Sequence, residues 1–75
     1  DCAIYPNPVT DILNIKVENN FIIENVNIYT ILGKKVYSDK SGESSISTSI
    51  LEKGIYLIEI KNSDGDLLRA QFIKM

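Results

Sequence analysis

The side chains that could do chemistry in this sequence are few and badly spaced for it. Asp64 and Asp66 flank Gly65, and oxygen-rich turns of that kind can hold calcium. The loop nevertheless offers too few ligands at the spacing of an EF-hand, and the residues favour a hairpin turn with solvated carboxylates. Cys2 is the one cysteine, and the chain has no His. A thiol becomes a nucleophile beside a base or a cation, so the expectation for Cys2 is a small apolar residue buried in a first strand. A pairing with a Cys upstream is left open. Ser44, Ser45, Ser47 and Ser49 crowd one segment with no base among them, and they read as strand surface and turn. Carboxylate pairs for glycoside hydrolysis need a cleft that holds a sugar between them. A chain of 75 residues has almost no room for one. Four tyrosines, Tyr5, Tyr29, Tyr37 and Tyr56, could stack on sugar rings. Tyr56 falls on a core phase, so only some of them can be exposed.

The elements that would position these residues are strands. In 11–18, Leu13, Ile15 and Val17 share a face opposite Asn14 and Lys16. In 24–31, Val26 and Ile28 oppose Asn25, Asn27 and Tyr29, and in 54–61 Tyr56, Ile58 and Ile60 alternate with Ile55, Leu57 and Glu59. Period two with β-branched and aromatic residues is the strand signature. Shorter strands are predicted at 2–5, at 34–39 with Val36 inward and Tyr37 outward, and at 45–49 with Ile46 and Thr48 on one face. A last strand at 66–74 sets Leu68, Ala70 and Phe72 against Leu67, Arg69, Gln71 and Ile73. Both of those faces carry apolar residues, so the pattern leaves its orientation open. Turn residues punctuate the strands: Pro6–Asn7–Pro8, Glu18–Asn19–Asn20, Leu32–Gly33–Lys34, Ser41–Gly42, Lys53–Gly54 and Asn62–Ser63–Asp64–Gly65. These residues supply turn conformations or lack a donor for a ladder. No segment keeps a 3.6 period. Lys34, Lys35 and Lys40 would guard an edge against stray pairing. The reading is all-β, an Ig-like antiparallel sandwich of about seven short strands.

Composition sets the outer limits. Apolar residues make up 44% and charged residues 24% of the chain, which suits a folded domain and not a disordered tail. A single domain over 1–75 is the most this length allows. The net charge of −2 argues against a nucleic-acid partner, which calls for a basic face. No apolar run is long enough to insert in a membrane. With no His and a single Cys there is no expected catalytic, cofactor or metal residue. The opening Asp1–Cys2 reads as a fragment of a longer secreted protein, with any export signal upstream.

Several motifs in order point further. Tyr5–Pro6–Asn7–Pro8–Val9–Thr10–Asp11 and then Leu13–Asn14–Ile15 open the chain. Val26–Asn27–Ile28–Tyr29 runs on to Leu32–Gly33–Lys34–Lys35–Val36. Residues 46–51 precede Gly54–Ile55–Tyr56–Leu57–Ile58, and Phe72–Ile73–Lys74–Met75 closes the chain. Together they resemble the C-terminal sorting domains of the type IX secretion system (type A), over nearly the whole chain. Thr30 stands where that family commonly has Asp, and Glu52–Lys53 where small or Pro-like residues often precede the Gly.

The resemblance implies an Ig-like sandwich that is no enzyme and needs no cofactor. It implies a signal at the end of an upstream cargo domain, read by the type IX translocon and shuttle components of a Bacteroidetes-type bacterium. The cargo passes through the periplasm to the cell surface or the medium, and a sortase-like cysteine protease removes the domain by a cut upstream of it. Within that frame Tyr5, Pro6, Asn7, Pro8, Asp11, Gly33, Gly54 and Tyr56 are expected to be mainly structural. The last strand, through Leu68, Arg69, Phe72, Ile73, Lys74 and Met75, is expected to meet the translocon, since a terminal edge strand can be extended by a partner. Lys74 would then stand near the terminal carboxylate. Two other readings remain: a small carbohydrate- or protein-binding sandwich appended to a secreted enzyme, and a structural spacer.

Overall fold

A computed structural model describes residues 2–75. Among them are seven strands and no helix: β1 (Cys2–Tyr5), β2 (Ile12–Val17), β3 (Ile23–Thr30), β4 (Lys35–Asp39), β5 (Ser45–Ser47), β6 (Gly54–Asn62) and β7 (Leu67–Lys74). One sheet has the order β1-β2-β5 and the other β4-β3-β6-β7. Every ladder between strands is antiparallel. With the strands lettered A to G in this order, A, B and E pair in one layer and C, F and G in the other, the partition of an immunoglobulin-type sandwich. The fourth strand pairs with the third, at the edge of the larger sheet.

The period-two residues face one another across the two layers. Leu13, Ile15 and Ile46 come from the smaller sheet, and Val26, Ile28, Tyr56, Ile58, Ile60 and Phe72 from the larger; all are buried. Val9 and Leu51 seal the core from the connections. Strand β7 takes the orientation that puts Phe72 inside, with Leu68 and Ala70 packed against the same cluster. The reason is its register: Tyr56 stands opposite Phe72 and Ile58 opposite Ala70. The rings of Tyr56 and Phe72 stack with centroids 5.6 Å apart. A pair of this kind adds about 0.5–1.5 kcal/mol beyond the area it buries.

One side chain departs from the sequence expectation. Tyr37 does not point outward; it is half-buried and packs on the core, as does Val36. The cause is a β-bulge. Ile28 pairs with Tyr37, but the next residue, Tyr29, pairs with Lys35, which leaves Val36 as the extra residue. A bulge resets the alternation, so Tyr37 shares the inward face of Ile28. The side chain of Cys2, expected to be buried, lies outside the described residues.

Glycine is required where the chain reverses at the β3–β4 turn. Gly33 has φ of +90°, its N–H donates to the carbonyl of Thr30, and the N–H of Thr30 donates to the carbonyl of Lys34. Residues with a Cβ resist that backbone region.

Candidate recognition surface

Among the described residues the side chains that could do chemistry are dispersed over the fold. Asp64 and Asp66 lie in the β6–β7 turn around a buried Asn62, whose Oδ1 accepts the N–H groups of Asp64 (3.0 Å) and Asp66 (2.8 Å). The turn is thus organised by an amide, and both carboxylates face solvent. Among the described residues no group of three or more His, Cys, Asp or Glu could hold a metal ion. Ser45 Oγ donates to Asn14 Oδ1 and Ser47 Oγ to Ser49 Oγ. Tyr37 and Tyr56 face the core, Tyr29 lies on the outer face of the larger sheet under the Lys35 ammonium (5.9 Å to the ring centroid), and Tyr5 ends β1 in the smaller sheet. The four rings are therefore split over different faces and make no platform.

What the fold does bring together is the two ends of the described chain. After pairing with β2, the chain leaves the smaller sheet at Pro6–Asn7–Pro8, and Val9 joins the larger one through a parallel bridge to Lys74. The two prolines lack a donor and suit a segment that belongs to neither ladder. The Asn between them stitches the edge: its Oδ1 accepts the N–H of Ile73 at 2.9 Å, and its Nδ2 donates to the carbonyl of Gln71 at 3.4 Å. Val9 then donates to the carbonyl of Ile73 and accepts from the N–H of Met75, both at 2.8 Å. The outer edge of β7 is closed from Gln71 to Met75. Farther back, Leu67 and Arg69 share the outward backbone phase of Ile73, since hydrogen-bonded and non-bonded pairs alternate along an antiparallel ladder.

Lys74 ends the inward series Leu68, Ala70, Phe72. It is only 8% exposed, and its ammonium donates to the carbonyl of Thr10 (2.9 Å), the carbonyl of Thr48 (2.8 Å) and Thr48 Oγ1 (3.0 Å). Its charge is turned into the fold rather than toward the terminal carboxylate. Burial of a charge is tolerated where its protons are met by well-placed acceptors. Thr48 completes the junction, because its N–H and its hydroxyl both donate to the carbonyl of Asp11. Tyr56 sits beside this junction, one residue pair away at Phe72, and its hydroxyl donates to the carbonyl of Glu52 at 2.7 Å. A Tyr near the start of strand F bonded back to the chain just upstream is the tyrosine corner of immunoglobulin-type sandwiches.

The residues expected at a translocon contact therefore divide. Phe72 and Lys74 face inward and Leu68 is half-buried, whereas Arg69, Ile73 (43% exposed) and Met75 (60%) face out. Ile73 stands opposite Ile55, and Arg69 opposite Glu59, with an ion pair of 3.1 Å between the last two. Between those two pairs Gln71, Leu57 and Tyr29 form a row across the larger sheet. Of the residues expected to be structural, Asn7 and Tyr56 hold backbone carbonyls or amides, Asp11 serves through its carbonyl, and Pro6, Pro8 and Tyr5 are exposed. Gly54 opens β6 with φ of +157°, opposite Lys74. Val9 and Thr48 carry structural weight that sequence reasoning did not assign them.

Comparison with known proteins gives this arrangement a context. A 33% identity over 74 residues relates the chain to an ulvan lyase of Nonlabens ulvanivorans, covering 95% of this chain and 14% of that protein. A 32% identity over 73 residues relates it to β-agarase D of Zobellia galactanivorans, covering 93% and 14%. The chain thus spans about one-seventh of the length of either relative. The profile of the secretion system C-terminal sorting domain matches residues 3–74. With motif pieces from both ends joined in one sandwich and a match across that whole span, the chain belongs to the family of type IX secretion system C-terminal sorting domains.

Proposed function

We propose that this domain directs an upstream cargo through the outer-membrane translocon of the type IX pathway. The cargo crosses the periplasm first, and a sortase-like cysteine protease then cuts upstream of the domain, leaving the cargo on the cell surface or in the medium. The observation that carries this reading is the family match over residues 3–74. It gains force from the relatives: a lyase and an agarase share this small piece, which makes up 14% of each. Enzymes with different chemistries have no reason to share a catalytic unit of this size, but they can share a route out of the cell. The translocon and its shuttle components would meet the outward side of β7 and its neighbours, Arg69, Ile73, Met75 and Ile55. Polar and apolar groups mixed on an exposed sheet face suit a transient partner better than a permanent one.

Fusing the chain behind a periplasmic reporter in a type IX-competent bacterium tests this. The expected outcome is export of the reporter, with release of a fragment the size of the domain. A reporter that stays in the periplasm overturns the reading. The names of the two relatives, both polysaccharide-acting, favour one second reading, a glycan-binding module. A pull-down on insoluble polysaccharides decides it, and the dispersed tyrosines predict no retention.

A further inference from the structure

The junction at Lys74 is more than a place where the chain stops. Three segments far apart in sequence meet there: the 6–10 connection, the turn after β5 and the last strand. Each contributes polar groups that bond to the others, although the carbonyl of Thr48 also accepts the N–H of Leu51 within its own turn. The carbonyls of Thr10 and Thr48 point at one ammonium, and the amide of Asn7 bonds the backbone of β7. Neither sheet's ladders need these bonds, since β1-β2-β5 and β4-β3-β6-β7 are complete without them. The bonds tie one sheet to the other at the same end, and those to Thr10 and Thr48 depend on the side chain of residue 74.

We propose that Lys74, Asn7 and Thr48 form a clasp that closes the sandwich last and covers the outer edge of β7 while it is shut. With the clasp open, the donors and acceptors of Ile73 and Met75 that now meet Asn7 and Val9 face solvent. That length of edge then becomes available for strand pairing. With it shut, the exposed Asn7–Pro8 segment lies along the edge of β7 that carries Ile73 and Met75, one surface drawn from both ends of the sequence. The consequence for export rests on the sorting role proposed above: the signal is then a folded, discontinuous surface and not a linear peptide at the C-terminus. The clasp itself does not depend on that role, and its test uses the chain alone.

Amide hydrogen exchange on the 75-residue chain, compared with Lys74→Met and Thr48→Val, provides it. Lys74→Met keeps an apolar stem and removes all three bonds of the ammonium, while the carbonyl of Thr48 keeps the N–H of Leu51 and its hydroxyl keeps the carbonyl of Asp11. The amides of Val9, Ile73 and Met75 are expected to exchange about tenfold faster or more, given what hydrogen bonds to a charged group contribute. The amides of β3 and β6 at Ile28 and Ile58 are expected to keep their protection. Thr48→Val removes one acceptor of the ammonium and the hydroxyl's bond to Asp11 but leaves both carbonyls, and it is expected to shift the same three amides by less. Should Lys74→Met unfold the chain outright, Thr48→Val reads the same amides in a folded protein. Exchange at Val9, Ile73 and Met75 within about twofold of the unsubstituted chain in the folded variants overturns the clasp. So does a loss of protection spread evenly over β3 and β6.

Discussion

Tyr56 and Lys74 carry polar tips into the same end of the sandwich, yet removing those tips should have different effects. The Tyr56 hydroxyl meets the carbonyl of Glu52, a residue that is itself exposed. In Tyr56→Phe the ring still stacks on Phe72, and water can reach the freed carbonyl. The loss should be about 1 kcal/mol, the net value of an ordinary hydrogen bond. A melting temperature lower by about 4–8 °C would register it in a domain of this size. An unchanged melting temperature would show that the corner bond carries no stability here. Two of the three Lys74 bonds go to Thr48, which is buried, so its loss weighs more. That Lys74 shares a face with Leu68, Ala70 and Phe72 was legible in the alternation, but both faces of that strand carry apolar residues, so which of them turns inward was not. A basic residue one place from the end nevertheless reads as a surface charge, and only the carbonyls of Thr10 and Thr48 show otherwise. Asn7 was recognised as part of a turn. Its bond to Ile73 spans 66 positions, and no local pattern encodes a partner that far away.

At the scale of elements the strands were legible because one face of each is buried and the other wet, which writes period two into the sequence. The β4 bulge was not legible. It depends on how Lys35 and Tyr37 pair with β3, and register belongs to two strands at once. The same strand end carries the chain's clearest pH dependence. The Asp39 carboxylate accepts the Ser41 N–H at 2.8 Å and the Ser41 hydroxyl at 3.0 Å, with the Tyr37 hydroxyl at 3.4 Å. The Ser41 bonds, backbone first, hold the Asp39 pKa below its ordinary value. A carboxylate that is more acidic when folded contributes stability above the unfolded-state value of about 4, and that contribution fades as pH falls through the lower folded value. Acidification from above that unfolded-state value to below the folded one should therefore loosen the β4–β5 turn, seen as faster exchange of the Ser41 amide. In Asp39→Asn the acceptor remains while the titration is gone, so that pH dependence should disappear. If both chains respond alike, another carboxylate is responsible. Tyr37 shifts the other way: burial first, then the Asp39 charge, raises its phenol. Stability from the neutral ring is present below about pH 10 and is lost as pH climbs through the folded value.

For the whole molecule, extents of 32 × 22 × 19 Å leave room for little beyond two packed layers, as two sheets about 10 Å apart require, with a small open recess between Glu18, Phe21, Asn62 and Leu68. Function must then be displayed on the outside, and the strongest contrast there is between the two sides of β7. Phe72 and Lys74 look in, while Ile73 and Met75 look out. Inward substitutions disturb the fold and outward ones do not, so the pair separates recognition from stability. The double variant Ile73→Ser, Met75→Ser gives up one cross-strand contact with Ile55 and should cost less than about 1 kcal/mol in urea unfolding. If the outward face of β7 is what the export machinery reads, the reporter fusion carrying this variant should remain in the periplasm although the domain is folded. Lys74→Met should also lower export, but in proportion to its loss of protection at Val9 and Met75, and a second-site stabilising change should restore it. The double variant should gain nothing from such stabilisation, because its defect lies in contact and not in folding. Normal export of a folded Ile73→Ser, Met75→Ser fusion would move the recognised surface away from β7. Export by an unfolded Lys74→Met fusion would show that the signal is read as a linear peptide.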